Sequence, residues 1–173
     1  MIIKSVRGFK PMYGDDCFFA ENSVLIGDVI MGNNCSIWYS AVVRGDVNSI
    51  KIGDRVNIQD GAVIHGTYLK AKTEIGNDVS IGHNAIVHGC KIENSVLIGM
   101  GSIVMDNSII ESNSIVAAGS VVLENTHIKA GSIFAGVPAK KIKNISEELK
   151  NNEIDRIASS YIKYSNWYID FTK

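Results

Sequence analysis

The sequence predicts an all-β parallel β-helix followed by one C-terminal α-helix. Two observations carry this: aliphatic residues recur every six positions, and small residues recur four positions after them. The apolar register runs Phe19, Leu25, Met31, Ile37, Val43, then Ile52, Ile58, Ile64, then Ile75, Ile81, Val87. It continues from Ile92 through Ile98, Val104, Ile110, Val116, Val122 and Ile128 to Phe134. An amphipathic helix repeats about every 3.6 residues and a half-buried strand about every 2. A period of six fits neither. It suits a solenoid in which three short strands make one triangular coil and each coil buries its large residue against the next. The small residues include Cys35, Ala41, Val56, Ala62, Val79, Ala85, Ser102, Ser114 and Ser120. A narrow prism needs them, because two bulky side chains per strand would overfill its interior.

In chain order, the coils are expected over about residues 19–139 of a single domain spanning residues 1–173. Gly32-Asn33-Asn34 and Gly76-Asn77-Asp78 mark corners, where the backbone turns through conformations that Gly and Asn tolerate. The step from Val43 to Ile52 is nine residues and that from Ile64 to Ile75 is eleven, so small loops are expected at those corners. After Pro138 the composition turns to Lys, Glu and Asn, and Lys140-Lys141-Ile142-Lys143 reads as a solvated turn. A helix is expected over about 146–171, capped by Ser146 with Glu147 and Glu148 in its first turn. Its stripe Ile154, Ile157, Tyr161, Ser165, Tyr168 would pack on the outside of this prism or a neighbour's.

Lys plus Arg number 17 against 18 Asp plus Glu, so the net charge of -1 gives no electrostatic reason to expect nucleic acid or an anionic membrane as partner. The N-terminal Met1-Ile2-Ile3-Lys4-Ser5-Val6-Arg7 lacks the apolar core of a signal peptide, and no apolar run is long enough to span a bilayer. Cys17, Cys35 and Cys90 are odd in number and widely spaced, as in a reduced cytoplasmic protein. A cytoplasmic location is the expectation.

The histidines carry the chemistry. His65 follows Ile64 and His88 follows Val87, each in the third repeat of consecutive coils. The two should stack about 4.8 Å apart at the backbone, with Arg44 in the same place one coil earlier. His83 lies five residues before His88, roughly 16 Å away at about 3.3 Å per residue, so one subunit cannot bring all three rings onto one ion. Packed about a threefold axis, one corner of each prism would meet a different corner of the next, and His65 and His88 would meet a neighbour's His83. Three histidines leave a fourth coordination position open, as in catalytic zinc sites. Zinc held this way lowers the pKa of its water toward neutrality and supplies hydroxide. His127 stands outside the cluster and reads as an ordinary surface residue.

Arg44-Gly45-Asp46, Asn57-Ile58-Gln59-Asp60, Ile64-His65, Gly82-His83 and His88-Gly89-Cys90, with the tail Ala135-Gly136-Val137-Pro138-Ala139, resemble the signature of gamma-class carbonic anhydrases among the hexapeptide-repeat proteins. The resemblance implies a left-handed β-helix, a homotrimer, and reversible hydration of carbon dioxide to bicarbonate by a zinc-bound hydroxide between subunits. It implies zinc (Zn2+), with Fe2+, Co2+ or Ni2+ as alternatives, and His65, His83 and His88 as ligands. By the same resemblance Gln59 orients the hydroxide, Asn57 and Tyr161 belong to the catalytic set, and Arg44, Asp46 and Asp60 form inter-subunit ion pairs and help hold the anionic product. Asp60 also occupies the stack position below His83, where it suits orienting that ring. Trp38, below Gln59, suits interface packing.

The chain departs from the best-studied members at Val47, where they carry glutamate. It departs again at Gly66-Thr67-Tyr68-Leu69-Lys70-Ala71-Lys72, short and basic in place of an acidic loop with a proton-shuttling glutamate. Slow proton release is therefore expected. An acyl-CoA acyltransferase or thioesterase, or a non-catalytic trimeric assembly protein, are the other functions this fold and resemblance allow.

Overall fold

The computed structural model describes residues 1–170. The six-residue register becomes a stack of short parallel strands in which each residue pairs with its equivalent one coil away. Leu25 pairs with Val43, Val43 with Ile64, Ile64 with Val87, Val87 with Val104, and Val104 with Val122. These residues point inward and are at most 2% exposed, as are Ile37, Ile58, Ile81, Ile98 and Val116 on another wall of the prism. Full burial of such a side chain contributes about 1.5–3 kcal/mol, so the repeated layer is the main source of stability. The small set, from Cys35 and Ala41 through Ser120, is likewise buried.

The prism has three walls. One carries Ile2–Lys4, Val63–His65, Ile86–His88, Ile103–Val104 and Val121–Val122, together with the first halves of the long strands Val24–Met31 and Val42–Ile52. Those two strands bend round a corner into the second wall, where they meet Met12–Tyr13, Thr73–Ile75, Lys91–Ile92, Ile109–Ile110 and His127–Ile128. The third wall holds Phe18–Phe19, Ser36–Ile37, Asn57–Ile58, Ser80–Ile81, Leu97–Ile98, Ile115–Val116 and Ser132–Gly136. Corners are stitched by side chains that accept backbone N–H groups from the neighbouring coil: Asn33 from Asp15, Asp54 from Asn33, Asn77 from Asp54, and Asn94 from Asn77. A Cβ on Gly76 would lie 2.5 Å from the Asn94 side-chain oxygen, so this ladder requires glycine there.

The boundaries differ from expectation at both ends. The coils begin at Ile2, because Ile3 pairs with Leu25 and packs on the core. Residues 1–18 lack the six-residue spacing, which hides this first coil from pattern reading. At the other end, 140–143 is no turn: Ala139–Asn144 is a strand paired antiparallel with Ser132–Gly136, closing that wall. The nine-residue step is a bulge inside Val42–Ile52 between Gly45 and Ile50.

Ser146 caps the C-terminal helix, accepting the Leu149 N–H, but the helix is not uniform. Glu147–Leu149 leads into a π-helical segment, Lys150–Asp155, before the α-helix Arg156–Asp170. The final residue of the expected helix, Phe171, lies outside the described residues. Ile154 and Ala158 are buried, and the helix lies on the third wall of its own chain. There Trp38 stacks between Phe18, Tyr161 and Tyr168 at centroid distances of 5.0, 5.3 and 5.5 Å. Trp38 is thus helix-packing surface within the chain.

Among the described residues no helix covers the first wall. Its outward column, Val24, Val42, Val63, Ile86, Ile103 and Val121, is wholly aliphatic, and Ile86 is 37% exposed. Among the described residues, no helix is long and apolar enough to cross a membrane.

Candidate metal centre

His65 and His88 end neighbouring strands of the aliphatic wall and pair directly in register. Strand alternation sends Ile64 and Val87 inward and both imidazoles outward at the same corner. His65 Nδ1 and His88 Nε2 face each other at 3.2 Å. The other nitrogen of each ring meets a carboxylate: His65 Nε2 lies 3.0 Å from Asp46, and His88 Nδ1 lies 2.6 Å from Asp106.

The tautomers follow from the carboxylates. Burial works against ionisation of Asp46, but hydrogen bonds from Arg44 and His65 carry its pKa below the ordinary aspartate value. Burial likewise opposes Asp106, and hydrogen bonds from Thr67 and His88 again bring it below the ordinary value. Both are acceptors at neutral pH, so His65 Nε2 and His88 Nδ1 carry the protons. With both rings neutral the facing nitrogens are both lone pairs, and a cation between them would relieve their repulsion. Two nitrogens on one tetrahedral zinc sit about 3.3 Å apart, given Zn–N bonds of about 2.0–2.1 Å. The observed spacing fits. Burial, opposed by the Asp46 hydrogen bond and aided by the charge of Arg44, also holds the His65 pKa below the ordinary histidine value, which favours the neutral ring a metal needs.

Arg44 and Asp46, expected to pair between subunits, meet within one chain at 2.5 Å. Asp46 thereby links the guanidinium to the His65 ring.

His83 belongs to a different cluster at the opposite edge of the same wall, in the turn that precedes Ile86–His88. Its Nδ1 lies 2.8 Å from Asp60, as the stack position suggested, and its Nε2 faces the Tyr161 hydroxyl at 3.4 Å. Burial, with the charge of Asp60 nearby, pushes the Tyr161 pKa up to about 12, so this hydroxyl stays protonated. Gln59 joins His83 and Tyr161 around a pocket of about 340 Å³ whose other walls include Leu97, Ile115, Ala117 and Ile157, with Glu153 also lining it. Asn57 is buried behind it, accepting the Gln59 amide at 2.9 Å and donating to Ser80 at 2.7 Å. That fixes the Gln59 orientation.

Among the described residues no three His, Cys, Asp or Glu side chains of one chain gather as a metal site. The residues expected to act together are therefore divided. His65, His88, Arg44 and Asp46 hold one edge of the aliphatic wall, and His83, Asp60, Gln59, Asn57 and Tyr161 hold the other. Asp106 and Thr67 were not foreseen from sequence. Asp106 follows Met105, the residue after the inward Val104, and so falls at a corner that looks like any other.

A family model for the bacterial transferase hexapeptide (six repeats) matches residues 89–124. A carbonic anhydrase of Geobacillus kaustophilus is 36% identical over 167 residues, covering 96% of this chain and 91% of that protein. The mitochondrial gamma carbonic anhydrase 2 of Arabidopsis thaliana is 40% identical, covering 91% of this chain and 57% of the plant protein. A hexapeptide transferase family protein from Anaplasma phagocytophilum superposes with a TM-score of 0.88 at 38% identity, covering 96% of this chain and 98% of that one. Sequence likeness over almost the whole chain and a shared coil architecture place this protein in the gamma carbonic anhydrase-like family of hexapeptide-repeat β-helix proteins.

Proposed function

We propose that the protein is a homotrimeric, metal-dependent carbonic anhydrase-like enzyme hydrating carbon dioxide at a site shared by two subunits. The observation that carries this is the facing pair of ring nitrogens, His65 Nδ1 and His88 Nε2 at 3.2 Å, each ring anchored by an aspartate through its other nitrogen. The uncovered aliphatic wall supports the assembly. His83 stands at one edge of that wall and the His65–His88 pair at the other, so walls turned toward a threefold axis bring one edge of each chain against the opposite edge of the next. A continuous outward column of aliphatic side chains suits an interaction face.

A zinc ion held by the three rings would lower the pKa of water toward neutrality and so make a nucleophile available. The chain's own residues supply the rest. Asp60 fixes the His83 tautomer, and Asn57 locks the Gln59 side chain so that its amide is aimed before substrate arrives, which is how electrostatic preorganisation acts. Arg44, 40% exposed at its side chain, offers positive charge to the developing bicarbonate. The loop contributes Lys70 and Lys72 where the family carries its shuttle carboxylate, while Glu153 of the helix lines the pocket with Gln59, His83 and Tyr161. With no shuttle in the loop, external buffer should speed proton release.

The pocket favours a second reading. At about 340 Å³ and mostly apolar, it exceeds what carbon dioxide needs and falls within the size range of small organic ligands. An acyl group on a thioester would suit it. Stopped-flow hydration assays on metal-replete protein decide between the two. The expected result is chelator-sensitive hydration that imidazole buffer accelerates. A metal-replete trimer that hydrates no carbon dioxide at high buffer concentration, yet hydrolyses acyl-CoA thioesters, would overturn the first reading.

A further inference from the structure

A carboxylate beside a histidine is not in itself informative here, because exposed His127 also lies 2.6 Å from Glu111. Asp106 differs in being fixed on every side. Its side chain is 7% exposed, against 25% for Asp46 and 43% for Asp60. One oxygen accepts from His88 Nδ1 at 2.6 Å and the other from the Thr67 hydroxyl at 2.5 Å. Thr67 comes from the eleven-residue step between Ile64 and Ile75, whose turn is closed by backbone bonds between Thr67 and Ala71. Asn48 donates to the Thr67 carbonyl at 3.2 Å and holds that loop from the neighbouring coil. On the ligand side, a Cβ on Gly89 would lie 2.4 Å from the same Asp106 oxygen that His88 reaches, and Gly89 has φ +57°. Glycine after His88 is what lets the carboxylate approach the ring.

We infer that Asp106, clamped by Thr67, is the positioning residue of the metal centre: it fixes the tautomer and rotation of His88 so that Nε2 faces His65 Nδ1. The inference rests on His65 and His88 being ligands, as proposed above. It also assigns a role to the insertion after Ile64. In place of an acidic shuttle, this short loop delivers the hydroxyl that holds the orienting carboxylate.

Cobalt(II) titrated into chelator-stripped protein, followed by its visible absorption, reads the effect without an activity assay. Wild-type protein should take up cobalt. Asp106→Ala should bind it about 10–100-fold more weakly, the usual cost of losing such a partner. Asp106→Asn, which keeps an oxygen acceptor for Nδ1–H, should recover part of that loss, and Thr67→Val should fall between wild type and alanine. All three should keep wild-type assembly and a cooperatively folded metal-free state. Unchanged cobalt affinity in Asp106→Ala and Thr67→Val overturns the inference, as does a loss that Asp106→Asn does not recover and that follows loss of assembly. Failure of wild-type protein to take up cobalt overturns the metal centre itself, a distinct result.

Discussion

If the metal site is shared, two inactive variants should repair each other. His83→Ala keeps the His65–His88 pair, and His88→Ala keeps His83. Neither homotrimer can assemble three rings at any interface, so each alone should be metal-free. Mixed trimers differ, because an interface is complete whenever the pair from a His83→Ala chain meets His83 from a His88→Ala chain. In a cyclic trimer each interface uses one edge from each neighbour in a fixed direction. With equal amounts co-refolded at random, about one interface in four is complete, or roughly 0.75 metal ions per trimer against about 3 for wild type. The number follows from the proposed division of the ligands between two edges of one wall, where Asp46 and Asp106 anchor one set of histidines and Asp60 and Tyr161 adjoin the other. Metal content by atomic emission should reach about a quarter of wild type, and metal-dependent hydration should rise in parallel. A co-refolded mixture as empty as its parents would refute the shared site, whereas metal bound by either parent alone would refute the ligand set.

Other perturbations test separate parts. His65→Ala, measured by metal analysis and circular dichroism, should lose stoichiometric metal with its coils intact, since two rings are too few for a firm zinc site, while His127→Ala should keep its metal. Ile86→Asp places a charge in the middle of the aliphatic wall and should shift the light-scattering mass from trimer toward monomer, with metal lost as a consequence. Glu111 has its pKa lowered from 4.5 to about 2, chiefly by the Ala130 N–H and then by Lys129 and His127. Its folded pKa lies below its unfolded one, so its contribution is full above about pH 5 and fades as pH falls toward 2. The stability advantage of wild type over Glu111→Gln in urea should accordingly shrink across that window, and an advantage that stays constant would contradict the assignment.

The six-residue register made the solenoid legible because the fold is local. Each coil stacks on the previous one at a nearly constant offset, so inward residues such as Ile64, Ile81 and Val87 follow from spacing alone, and with them the outward pairing of His65 with His88. The placement of Asp60 beside His83 follows from the same offset. Ser146 as helix cap was equally readable, since capping depends on a few adjacent residues.

What depended on tertiary structure lies where that offset ceases to govern. The first coil lacks the spacing ahead of Phe19, and its strands from Ile2 to Tyr13 are recognised only by their pairing with Val24–Met31. Asp106 reaches His88 across 18 positions through a side-chain rotamer, a glycine without a Cβ and a hydroxyl from an inserted loop. The helix lies on the third wall because Trp38 and Phe18 stand there for its tyrosines to pack on, which leaves the aliphatic wall without a helix against it. A repeat determines which way a side chain points; which neighbour it then meets is set by loops, rotamers and packed elements that no period encodes.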